Sequence, residues 1–133
     1  MINVSDETFQ KLLEQAIDLI PEIYAKRINN VAIVWSHIPT DEQRQKLKLR
    51  GDQTLFGLYE GIPLTKRNNN YSMVLPDKIT IFKDPICLYV GDLHQLKREI
   101  GHTLWHEVAH HFGLDHDRIH ELDKRKVGKK NQN

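Results

Sequence analysis

The chain has 133 residues, a length that suits one domain built around one hydrophobic core. Its 19 lysines and arginines nearly balance 18 aspartates and glutamates, and a net charge of +1 excludes a whole-protein field drawing it to nucleic acid or a membrane surface. Cys87 is the single cysteine, which excludes an intrachain disulfide and points to a reducing compartment.

The N-terminus, Met1-Ile2-Asn3-Val4-Ser5-Asp6-Glu7, lacks the basic and apolar regions of a signal peptide. No apolar run approaches the roughly 20 residues of a membrane span. A soluble, cytoplasmic protein is the expectation. Ser5 is a candidate N-cap, with Asp6 and Glu7 in the favourable first turn. Phe9, Leu12, Leu13, Ala16, Ile17 and Ile20 then follow the spacing of an amphipathic helix, which Pro21 breaks or restarts. Ile23, Tyr24 and Ile28 predict a second, shorter helical piece. Val31 to Trp35 is β-branched and apolar and predicts a buried strand.

Residues 38–53 are polar. Thr40 and Gln43 fit a capping box, and Lys46, Lys48 and Arg50 predict a solvated helix or loop. Leu55 to Ile62 predicts a second strand, with Gly57 and Gly61 allowing a bend or a close backbone approach. A long connection follows from Pro63 to Pro76, and Lys78 to Lys83 predicts a third strand. Asp92 and Gln95 open the last long helix. Laid out at about 100° per residue, Leu93, Leu96, Ile100, Leu104 and Val108 share one side, while Gln95, Glu99, His102, His106 and His110 share the other. Ile119 and Leu122 suggest one more short helix. The domain is expected to span 1–122, with a solvated basic tail at 123–133.

That long helix carries His106-Glu107-Val108-Ala109-His110-His111-Phe112-Gly113-Leu114-Asp115-His116, or H-E-x-x-H-x-x-G-x-x-H. Five fixed positions would match by chance in such a chain on the order of 10⁻⁵ of the time, so solvated histidines are the weaker explanation. Residues four apart share a helix face, so His106 and His110 can reach one ion. Gly113 allows the turn that brings back His116 as third ligand. Three protein ligands and one open position describe a catalytic zinc site, with one Zn²⁺ per chain. Glu107 stands where a general base can meet a water in that open position. His102, one turn before His106, is a candidate proton shuttle or outer partner that Glu99 could orient; it reads equally as the lining of a wet cleft. His111 falls in the apolar arc and is expected to be a core histidine bonded to backbone. His120 is a weaker rival for the third ligand, and His37 and His94 carry no signal beyond composition.

The helix motif alone resembles the metzincin peptidases. Those carry a methionine turn after the third histidine, whereas Met1 and Met73 both lie upstream here. The 17 residues after His116 are also short for a metzincin C-terminal subdomain. Leu58-Tyr59-Glu60-Gly61-Ile62-Pro63-Leu64-Thr65, Tyr71, and Leu75-Pro76-Asp77-Lys78-Ile79-Thr80-Ile81-Phe82 before the His-Glu helix are more similar to the small bacterial zincin-like metallopeptidases, or minimal zincins. The likeness covers roughly residues 54–122. It implies an α+β domain in which a small mixed sheet of three to four strands packs against the N-terminal helices and the zinc helix. It also implies a zinc metallopeptidase acting on a peptide or protein substrate. The third ligand of that family is often aspartate, where this chain has His116.

Tyr71, on the long connection, is a candidate hydrogen-bond donor to the oxyanion, although a packed aromatic is the plainer account. By analogy with zincins, an extended substrate would lie along an exposed strand edge, with 78–83 the candidate strand. Two other readings stand beside this one. Small endoribonucleases of ribosomal RNA maturation share the histidine spacing and a Gly-x-Asp-His ending, like Gly113 to His116, but have glycine in place of Glu107. A non-catalytic zinc-binding module that recognises a protein partner is the third.

Overall fold

In the computed structural model, residues 1–28, 30–47, 55–61 and 77–112 are described. The Ser5 hydroxyl accepts the Thr8 N–H at 3.1 Å and so starts helix α1 (Asp6–Asp18) where the sequence predicts it. Phe9, Leu13 and Ala16 are the buried stripe of α1. Pro21 opens the short helix α2 (Glu22–Ala25). Tyr24 from α2 packs edge-on against Trp105 and tilts onto Phe112, with ring centroids 5.1 and 5.2 Å away.

Strand β1 (Val31–Ser36) is followed by α3 (Asp41–Lys46). The expected capping box forms, with Gln43 N–H to Thr40 Oγ1 at 3.1 Å and Thr40 N–H to Gln43 Oε1 at 2.9 Å. No residue of α3 is buried, as a solvated helix requires. Strand β2 (Gly57–Glu60) is shorter than the expected 55–62. Strand β3 (Asp77–Phe82) runs parallel to β1 and antiparallel to β2, in the order β1-β3-β2. The fold is therefore α+β with a mixed three-stranded sheet among the described residues.

This order corrects two expectations. The strand near 78–83 is central, because Ile79, Ile81 and Phe82 are wholly buried and both flanks are paired, so it has no edge for a substrate. Residues 31–35, expected to be buried, form a strand at the edge of the sheet among the described residues, and none of them is fully buried. A third correction concerns Lys83. It leaves the sheet and begins α4 (Lys83–Tyr89), a helix without apolar periodicity whose Pro85 sits in the first turn, where its missing N–H costs nothing.

The longest helix is α5 (Leu93–His111). Leu96, Ile100, Leu104 and Val108 are buried against Ile79 and Ile81 of the sheet and Phe9 and Leu13 of α1. Leu93 differs from its expected place: it lies in the first turn, before the helix reaches the core, and is 52% exposed. Trp105 widens the buried side toward α2. No helix among the described residues is long and apolar enough to cross a membrane. The 63–76 connection, the helix expected near 119–122 and the 123–133 tail lie outside the described residues.

Candidate metal centre

Asp92 caps α5 by accepting the Gln95 N–H at 2.8 Å, while Gln95 Oε1 accepts the Gly91 N–H at 2.7 Å. These contacts fix the start of the helix, and its 3.6-residue period then sets which side chains share a face. The His106 and His110 rings lie edge to face with centroids 4.8 Å apart. His102 continues the row, its centroid 6.5 Å from that of His106. His106 is half-buried, whereas His102 and His110 are exposed. Glu99 is half-buried and takes the Thr103 hydroxyl at 3.3 Å.

Glu107 lies beside His110 of this row and is only 7% exposed. Burial pushes its carboxyl above the ordinary 4.5, while the His110 ring and the Tyr59 backbone N–H pull the other way. His110 Nδ1 lies 3.3 Å from Glu107 Oε1. With Nδ1 turned to the carboxylate, Nε2 is the nitrogen left to ligate a metal.

A glycine brings strand and helix this close. A Cβ at Gly57 would stand 2.7 Å from Thr103 Cγ2 and 3.2 Å from Glu107 Cγ. The close backbone approach that the sequence allows at this glycine is thus made against α5. Phe56 C=O accepts the Phe82 N–H at 2.8 Å, so by alternation the main-chain groups of Gly57 and Tyr59 face away from β3. Tyr59 is thereby able to offer its N–H to Glu107.

His111 differs from its expected environment. It is half-buried, but its partners are side chains: Nδ1 is 3.2 Å from Tyr59 Oη and 3.3 Å from Asp77 Oδ2. These partners stand 52 and 34 residues away along the chain, beyond the reach of helical periodicity. His37, which gave no signal, also has carboxylate partners, with Asp84 at 3.0 Å and Asp6 at 3.5 Å.

His116, Tyr71 and the rival ligand His120 lie outside the described residues. Among the described residues, no three His, Cys, Asp or Glu side chains gather around one point. The donors that are described suit zinc in kind: two neighbouring imidazoles with a shielded carboxylate beside them.

Residues 28–126 match the family described as zincin-like metallopeptidase. The chain belongs to the zincin-like metallopeptidase family. The match covers the sheet, the histidine row and His116. No curated protein matches the chain. Membership of this family implies a zinc cofactor and suggests zinc-dependent hydrolysis of peptides.

Proposed function

We propose that the protein hydrolyses peptide bonds with one Zn²⁺ per chain, held by His106, His110 and His116, and with Glu107 as general base. The observation that carries this reading is the placement of Glu107. It is a buried carboxylate beside a row of histidines, held by a strand amide and His110. A purely structural metal clip has no use for an acid there.

Zinc, when bound, supplies a Lewis acid and lowers the pKa of a water in its open position from 15.7 toward about 7. Glu107 accepts a proton from the attacking water and returns it to the leaving amine. Burial keeps bulk water from competing for the carboxylate. Strand β2, rather than β3, is the edge among the described residues along which an extended peptide would run, because the outward main-chain groups of Gly57 lie beside Glu107 while the Tyr59 N–H is already given to that carboxylate. Tyr71 keeps its proposed role as a donor to the oxyanion, and His102 and Glu99 as outer groups of the cleft.

Elemental analysis of the zinc-reconstituted protein is expected to give about one zinc per chain. Glu107→Gln is expected to keep that zinc and to lose cleavage of an unbiased peptide library by at least about 100-fold. Sub-stoichiometric zinc in the wild type would sink the metal site. A wild type that cuts structured RNA but no peptide would replace the peptidase with the ribonuclease reading. Zinc binding with neither activity would favour the interaction module.

A further inference from the structure

Three elements meet in a closed triangle beneath the last turn of α5. Tyr59 of β2 donates its hydroxyl to Asp77 Oδ2 of β3 at 2.6 Å. His111 of α5 places Nδ1 3.2 Å from that hydroxyl and 3.3 Å from the same carboxylate oxygen. The rings of Tyr59 and His111 meet edge to face at 5.6 Å. Asp77 and His111 keep only 11% and 21% of their side-chain surface in contact with water, so these bonds are poorly exposed to solvent competition.

The neighbouring sequence accommodates the phenol. A Cβ at Gly61 would stand 2.5 Å from Tyr59 Oη and 2.9 Å from its ring carbons. Glu60, between them, points to the other side and takes the Gln43 amide at 2.8 Å, which ties the end of β2 to α3. The run Tyr59-Glu60-Gly61 thus sets one ring under the helix and secures the strand that carries it.

Tyr59 has two ends with different tasks. Its main-chain N–H reaches Glu107, and its hydroxyl reaches the residue that follows His110. Helix ends fray because their last carbonyls lack intrahelical partners. Here the last turn carries a proposed ligand, His110. We infer that Tyr59, Asp77 and His111 form a positioning cluster that seats the Glu107 carboxylate and pins the ligand-bearing end of α5 to the sheet. None of the three touches the reacting atoms. The inference rests on the metallopeptidase reading for its catalytic consequence, but not for its consequence on metal binding.

The test uses the full-length chain and three variants. Tyr59→Phe removes the hydroxyl and keeps the ring, Asp77→Asn removes the charge and keeps the shape, and Ser5→Ala loosens the distant N-cap of α1 as a stability control. Zinc affinity is read by competition with a chromophoric chelator, and ligand geometry by the visible spectrum of the Co²⁺-loaded protein. Both cluster variants are expected to bind zinc about 10-fold more weakly than the wild type and to alter the Co²⁺ spectrum. Ser5→Ala is expected to change neither. Wherever a peptide is cleaved, Tyr59→Phe should lower kcat with KM unchanged, because Glu107 is displaced while the binding edge is kept. Wild-type affinity and spectrum in both cluster variants would overturn the inference. So would an equal loss in Ser5→Ala, which would reduce the effect to general stability. A wild type without peptide activity would sink the proposed reaction and leave the metal measurements to decide the cluster.

Discussion

A methyl group has opposite consequences at two glycines, one on β2 and one inside α5. At Gly57 it would meet Thr103 Cγ2 at 2.7 Å and the Glu107 stem at 3.2 Å, with Thr80 O a further 3.4 Å contact behind. Strand or helix must then move, and overpacking of this kind costs about 1–3 kcal/mol. At Gly101, inside α5, the same methyl meets nothing within 4 Å. There it only removes the conformational freedom of the unfolded chain, which stabilises a helix interior by about 0.5–1 kcal/mol. Thermal unfolding of the metal-free protein should therefore show Gly57→Ala melting below the wild type and Gly101→Ala above it. Wherever a peptide is cleaved, the first variant should also lose that proposed activity out of proportion to its loss of stability. Equal melting temperatures would mean that β2 does not press on α5 as the distances say.

Helix α5 shows how far an element can be anticipated from its pattern. Periodicity places Leu93 and Leu96 on one apolar side, yet Leu93 is 52% exposed and Leu96 wholly buried. Leu96→Ala should cost about 2–5 kcal/mol through lost burial and a cavity, and Leu93→Ala at most about 0.5 kcal/mol, as denaturant midpoints would reveal. A wheel gives direction around an axis, but not how far along the axis the core extends. The same distinction separates what was legible in the site from what was not. His106, Glu107 and His110 lie within one turn of one helix, so their spacing alone sets their neighbourhood. Tyr59, Asp77 and His111 are joined by strand pairing and by helix-on-sheet packing, which no local period encodes. Strand β3 was visible through Ile79 and Ile81, but its central place depends on which neighbours pair with it. Helix α4 has no apolar period to announce it, and Lys83, which the pattern assigns to the end of the strand, instead opens the helix, buried and held by Asp6 at 2.7 Å.

That buried lysine belongs to a network of Asp6 in α1, His37 just after β1 and Asp84 in α4, which is expected to give the stability of the molecule a pH dependence separate from the metal centre. The Lys83 ammonium beside Asp6 holds that carboxyl below its ordinary 3.8, with a smaller contribution from His37. Asp84, hydrogen-bonded to His37, raises the imidazole above its ordinary 6.5, and Asp6 adds to the effect. A lowered carboxylate contributes stability that is fully present above 3.8 and is lost as pH falls through its folded value. A raised imidazole contributes stability that is fully present below 6.5 and is lost as pH rises through its folded value. Both contributions are complete only between those two limits. The melting temperature of the chelator-treated protein, measured as wild type minus variant, should therefore peak in that window. The difference from His37→Gln should shrink on the alkaline side, and the difference from Asp6→Asn on the acid side. Chelation matters here because protonation of the proposed histidine ligands would otherwise release zinc and add its own acid limb. His37, Asp6 and Asp84 each keep more than half of their side-chain surface in water, so 1 M salt should flatten both limbs. A pH profile identical in wild type and His37→Gln would show that the imidazole stays neutral between its two carboxylates, and that the network is held by Lys83 and Asp6 alone.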